Sequence, residues 1–153
     1  RRFLAAVLWY TSAIVILLIF LDSCMSAQHH ILITEDNQDL ITIYSAKLQA
    51  EGYSVATASD GKEAFDRIRE RRPDCILLDI VMPGMDGLEF LRLAKKEKAL
   101  HGVPIVVMTN LGQDEDRAQC EKLGASKFLV KTEMSIDDLA RIVHEMVGGA
   151  ATH

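Results

Sequence analysis

Five residues in this chain have side chains suited to joint chemistry: Glu35, Asp36, Asp79, Thr109 and Lys131. Each follows or ends a short apolar run: Ile31-Leu32-Ile33, Cys75-Ile76-Leu77-Leu78, Ile105-Val106-Val107-Met108 and Phe128-Leu129-Val130. A single Asp in such a place is a metal ligand, a nucleophile or the cap of the next helix, and a single Lys is usually solvated. Matching positions on four runs call for a joint explanation. Three clustered carboxylates repel one another and invite a divalent cation. Hard oxygen ligands with room for water suit Mg²⁺, which one or two carboxylates commonly share with a substrate phosphate. A carboxylate beside such an ion can attack phosphorus and become an aspartyl-phosphate. The transferred group spreads charge over three equatorial oxygens. Those oxygens are matched by the cation, by Lys131, and by the Thr109 hydroxyl with backbone N–H groups.

These residues meet only if the apolar runs are strands of one parallel sheet. The runs are short, uniformly apolar and bounded by turn residues, as buried strands are. Strands are expected at 30–34, 53–58, 75–79, 103–109 and 126–131. Between them lie helical spacings. The first helix covers 39–50, with Leu40, Ile41, Tyr44 and Leu48 inward, and the second covers 62–71, with Ala64, Phe65 and Ile68 inward. A third starts after Gly87 on Leu88, Leu91 and Ala94, with Phe90 beside them, and ends near residues 99–102. A mostly polar fourth helix spans 113–123. A fifth is capped by Ser135, with Leu139, Ile142, Val143 and Met146 inward. Strand and helix alternate five times, which implies right-handed crossovers and a parallel sheet. The predicted fold is therefore a doubly wound (βα)5 α/β domain, a three-layer flavodoxin-like sandwich. Its active edge lies at the C-terminal ends of the strands.

A chain of 153 residues holds one domain with a real core. Its net charge of −5 and its lack of a Lys/Arg stripe exclude nucleic-acid binding as the main business. Cys24, Cys75 and Cys120 are odd in number and show no metal spacing. Cys75 reads as a buried thiol in a reducing compartment and Cys120 as a helix residue. His29-His30 reads as a solvated strand entrance ahead of a metal pair, and His144-Glu145 as helix surface.

Three divisions are expected: a hydrophobic N-terminal segment at 1–27, a globular domain at 28–148 and a tail at 149–153. The uncharged run at 3–21 is nearly long enough, at about 1.5 Å per residue, to cross a roughly 30 Å hydrocarbon core. Three readings of it stand: a membrane helix, a signal-like segment, or an upstream extension foreign to the working protein. Arg1 and Arg2 before the run and Asp22 after it would export the globular domain, which conflicts with phosphate chemistry in the cytoplasm. The globular part is expected in the cytoplasm, membrane-attached only if the run is a true span.

The globular part resembles the receiver domain of response regulators, the CheY-like phosphoacceptor module of two-component signalling. The residues that carry the resemblance are Glu35-Asp36, Leu77-Leu78-Asp79-Ile80-Val81-Met82-Pro83-Gly84-Met85-Asp86-Gly87, Thr109, and Phe128-Leu129-Val130-Lys131. It implies that Asp79 accepts a phosphoryl group from the phosphohistidine of a histidine kinase or phosphotransfer protein. It implies Mg²⁺ held by Glu35, Asp36, Asp79 and the Val81 carbonyl, with Lys131 on a phosphoryl oxygen. It further implies that Thr109 swings toward the phosphoryl group while Phe128 rotates inward. The output would then pass through the fourth helix, fifth strand and fifth helix to a separate protein. The module would be no enzyme beyond slow self-catalysed phosphorylation and dephosphorylation.

The sequence departs from the family pattern in several places. Thr132 stands where members carry proline, so the Lys131–Thr132 bond is expected to lack the usual cis geometry. Asn110 replaces a small residue, and Phe128 replaces the commoner tyrosine. Val81 and Leu111 flank the site where many members are polar, and they are expected to position attacking water poorly and lengthen the phosphoryl lifetime. Val81 also weighs against a phosphohydrolase of the haloacid dehalogenase type, which needs an Asp two residues after the nucleophile. The intact acidic cluster weighs against a fold kept only for interaction. No helix-turn-helix or basic recognition helix follows the last helix. A single-domain regulator is expected, with a fragment of a larger membrane-attached or hybrid protein as the alternative.

Overall fold

The computed structural model describes residues 28–110 and 114–148. The expectations for 1–27, Leu111 and 149–153 lie outside the described residues. Among the described residues no helix is long and apolar enough to cross a membrane.

The strands are β1 (His30–Thr34), β2 (Ser54–Ala58), β3 (Cys75–Asp79), β4 (Ile105–Thr109) and β5 (Lys127–Val130). The helices are α1 (Gln38–Ala50), α2 (Gly61–Glu70), α3 (Gly87–Ala94), α4 (Asp114–Lys122) and α5 (Ile136–Gly148). All strand pairs are parallel, in the order β2-β1-β3-β4-β5. The predicted (βα)5 flavodoxin-like fold is the observed one.

Residue alternation splits the core in two. Ile31, Ile33, Leu77, Val106 and Met108 pack against Tyr44 and Leu48 of α1 and Leu139, Ile142 and Val143 of α5. Leu32, Ile76, Leu78, Val107 and Phe128 face the other way, toward α2, α3 and Cys120 of α4. Central strands β1, β3 and β4 are buried throughout, which is why they read as unbroken apolar runs.

Several boundaries differ from the sequence reading, each for a local reason. Asn37 and Asp60 cap α1 and α2, accepting from Leu40 and Glu63 backbone N–H groups, so both helices start a residue early. The third helix stops at Ala94, well short of 99–102, and a separate 3-10 turn, Lys98–Leu100, fills the gap. Pro104 offers no N–H, and β4 begins only at Ile105. β5 ends at Val130, and Lys131 opens a 3-10 turn, Lys131–Glu133. Phe90, expected beside the inner face of its helix, is fully buried. His30 is also a correction. It is 7 % exposed, not solvated, and its Nδ1 lies 3.2 Å from the Ser54 hydroxyl. Burial, ahead of the nearby Arg71 charge, holds its pKa below the usual histidine value.

The β3–α3 loop is held from both ends. Gly84 takes a left-handed φ of 69°, and the Gly61 N–H donates to the Met85 carbonyl at 3.0 Å. Gly87 donates to the Ile80 carbonyl, and a Cβ on it would stand 2.3 Å from the Asp79 carbonyl oxygen. Only glycine lets α3 start this close to the end of β3. Gly87→Ala is therefore expected to cost about 1–3 kcal/mol in urea unfolding. A parental midpoint would show that the loop gives way freely.

Candidate functional site

Parallel strands bring their C-terminal ends to one edge, and the order β1-β3-β4-β5 there sets who meets whom. β1 and β3 are neighbours, with Thr34 opposite Leu78, so Glu35 and Asp79 emerge side by side. Glu35 is 1 % exposed and Asp79 5 %, while Asp36 is exposed. One carboxylate oxygen from each of the three lies within 4.8 Å of the others. Among the described residues this is the only such group; His29, His30 and Asp74 do not form one.

Lys131 reaches the cluster from β5. Adjacent strands are about 4.8 Å apart, so the side chain must lean across the end of β4. The 3-10 turn directs it back. Its Nζ donates to Glu35 Oε2 at 2.5 Å and to Asp79 Oδ2 at 2.8 Å. No peptide bond among the described residues is cis, as Thr132 led us to expect, and Lys131 still spans the site.

The remaining carboxylate oxygens are used as well. Asp79 Oδ1 accepts from the Val81 N–H at 3.2 Å, and Glu35 Oε1 accepts from the Asn37 N–H at 3.2 Å. The Val81 side chain stands out from the loop, 60 % exposed. Thr109, 1 % exposed, pairs with Val130, one residue before Lys131. Phe128 pairs with Val107 and is 6 % exposed. Two-residue alternation puts Thr109 and Phe128 side chains on the same face of the sheet, toward α4.

Burial pushes the Glu35 carboxyl above the usual range; the Lys131 hydrogen bond pulls it down, and the Asp79 charge adds to the rise. For Lys131, burial works against the charge, but the hydrogen bonds to Asp79 and Glu35 outweigh it, and its pKa is raised. Ionised, the cluster holds three negative charges and one positive. The residual charge of minus two and the all-oxygen donors fit a divalent cation. The structure thus gathers Glu35, Asp36, Asp79 and Lys131 directly. It sets Thr109 beside them on the same edge and Phe128 one layer inward.

Other sequence candidates fall away from this edge. His144 is exposed on α5 with its ring 3.3 Å from the Tyr53 hydroxyl, and Glu145 pairs with Lys127 and Arg141. Cys75 and Cys120 are free and buried, with burial pushing Cys75 up to about 12. The sequence reading missed Asn37, whose cap fixes the Glu35 loop, and Arg117, whose guanidinium lies over Phe128. An Asn before a helical spacing is a readable cap signal. Arg117, in a polar stretch, gave none.

Removing the ammonium leaves two buried carboxylates uncompensated. Lys131→Met is expected to lose about 3 kcal/mol of stability without divalent cation, with part regained when Mg²⁺ is added. Urea unfolding with and without Mg²⁺ measures both, and an unchanged midpoint would remove the ammonium from the stability of the site.

The comparisons with known proteins agree with this geometry. The family model for the response regulator receiver domain matches residues 31–144. Response regulator PleD of Caulobacter vibrioides is 42 % identical over 115 residues, covering 75 % of this chain and 24 % of that protein. The alkaline phosphatase synthesis transcriptional regulatory protein PhoP of Bacillus subtilis is 33 % identical, covering 66 % of this chain and 41 % of its own length. The chain thus spans about a quarter to two fifths of these relatives. Among solved structures, chemotaxis protein CheY4 of Vibrio cholerae is 29 % identical with a TM-score of 0.74, covering 78 % of this chain and 99 % of its own. The receiver domain of sensor histidine kinase PA1611 from Pseudomonas aeruginosa is 31 % identical with a TM-score of 0.72. It covers 80 % of this chain and 99 % of its own, and it carries a magnesium ion in its active-site cleft. The match across residues 31–144, laid over a sheet edge with this acidic cluster, places the chain in the response regulator receiver domain family of two-component signalling.

Proposed function

We propose that the chain is a phosphoacceptor switch, in which Asp79 takes a phosphoryl group from a phosphohistidine donor. The observation that carries this reading is the Asp79 carboxylate at the end of β3, flanked by Glu35, Asp36 and the Lys131 ammonium. A bound Mg²⁺ supplies charge neutralisation at the phosphoryl oxygens, and Glu35, Asp36, Asp79 and the Val81 carbonyl are the groups that would hold it. The chain's own residues do the rest. An Asp79 carboxylate oxygen forms the new P–O bond as the P–N bond to the donor imidazole breaks, and the leaving nitrogen keeps that electron pair. Lys131 exchanges its hydrogen bond with Asp79 for one with a phosphoryl oxygen. The Thr109 hydroxyl and the loop N–H groups after Asp79 receive the others.

The new charge biases a two-state element built from Thr109 and Phe128, and the altered surface of α4, β5 and α5 is offered to a partner protein. Turnover is at most slow and self-catalysed. Position 81 carries a valine, with no carboxylate to act as a general acid there. The buried, unpaired Cys75 thiol supports a reducing compartment, and we place the domain in the cytoplasm. Membrane attachment depends on whether the run at 3–21 is a span. We read the chain as a receiver module that signals through a contact with another protein. A second reading, the receiver segment of a longer signalling protein, is favoured by its covering only 24 % of the PleD length.

Incubating the chain with acetyl phosphate and Mg²⁺ is expected to add the mass of one phosphoryl group. Chelation or Asp79→Asn should abolish the adduct, and an adduct that survives Asp79→Asn sinks the assignment. The double variant Val81→Asn with Leu111→Glu is expected to lose the group roughly tenfold faster or more. A parental lifetime would show that the apolar flank does not keep water out of line.

A further inference from the structure

The Phe128 ring has a partner that the signalling reading leaves unused. The guanidinium carbon of Arg117, on α4, lies 5.1 Å from the ring centroid. A cation within about 6 Å of an aromatic face is drawn to the ring's negative quadrupole. Phe128 is buried among residues that include Val107 and Cys120, so Arg117 closes over a ring already turned into the core. Cys120 is the buried apolar anchor among the described side chains of α4, and the rest of that helix is mostly polar and exposed. The Arg117–Phe128 contact therefore supplies a second tie between α4 and β5. It sits on the same sheet face as Thr109, whose strand pairs with β5 through Val107–Phe128 and Thr109–Val130.

We propose that Arg117 is a positioning residue of the switch: its guanidinium clamps the Phe128 ring in the buried position and ties α4 to β5. The proposal rests on the reading of Thr109 and Phe128 as a phosphoryl-responsive pair, in which the phosphorylated state has the ring inward. A contact made in only one ring position shifts the population by its differential affinity for that position. A partly exposed cation–π contact corresponds to a factor of about 2–5. Linkage is reciprocal, so whatever favours the inward ring favours phosphorylation of Asp79, by at most that factor and by less where the inward ring already dominates.

The test uses the full chain with 4-fluorophenylalanine at position 128. Fluorine NMR reads the ring's buried and solvent-exposed populations without any phosphoryl chemistry. Arg117→Met keeps the aliphatic stem but removes the charge, and it should raise the exposed population about 2–5-fold; Arg117→Lys should raise it less. At limiting acetyl phosphate and Mg²⁺, Arg117→Met should lower the phosphorylated fraction, by no more than that factor, and the effect should vanish in a Phe128→Leu background. An unchanged ring population overturns the clamp. So does an equal loss of phosphorylation in the Phe128→Leu background, because Arg117 would then act on the donor or elsewhere. Absence of any adduct on the parent overturns the phosphoacceptor reading, while the fluorine populations still decide the clamp.

Discussion

Two buried carboxylates from adjacent strands share one ammonium delivered from two strands further along the sheet. Glu35 and Asp79 are both nearly shielded from water, and each would be costly as a lone charge. Lys131 makes the pair tolerable, at 2.5 and 2.8 Å, yet leaves the cluster two charges negative when Asp36 is counted. That excess is held in place by the fold. The sheet order sets β1 beside β3, Asn37 and Gly87 fix the loops after those strands, and the 3-10 turn after β5 returns Lys131 across β4. A site held short of positive charge is ready for a divalent cation and for the phosphoryl group such a cation accompanies.

The same arrangement connects the charge to a surface. Thr109 stands at the sheet edge beside the acidic cluster, and Phe128 lies one layer inward on the same face. Arg117 adds a contact from α4, in which Cys120 is the buried apolar side chain among those described. On the proposed function, a change of one hydrogen bond at the edge would be carried to an exposed helix by these packed side chains.

Most of the fold and the centre of the site were legible in the residues themselves. Unbroken apolar runs marked β1, β3 and β4 because both sheet faces are covered, and the carboxylates, hydroxyl and ammonium at their ends needed only the parallel assumption to converge. The roles of the Val81 carbonyl and Phe128 came from the family resemblance, because neither a backbone carbonyl nor an aromatic ring shows its role in spacing. What escaped was set by three-dimensional approach. His30 lies under the Ser54 hydroxyl at a strand entrance that read as open. Gly87 is required by the carbonyl oxygen of Asp79, at the end of the preceding strand. Arg117 meets Phe128 across a helix–strand packing that a polar stretch does not advertise. Helix ends moved because capping geometry, rather than hydrophobic periodicity, decides them.

The central claim is that the carboxylate of Asp79, out of three clustered ones, forms the bond to phosphorus. An acyl phosphate is reduced by borohydride to the alcohol, which marks the carboxylate that carried it. After reaction with acetyl phosphate and Mg²⁺, reduction and peptide mass mapping are predicted to place that mark at position 79 alone. A mark on Asp36 or Glu35, or none on any of the three, would contradict the account.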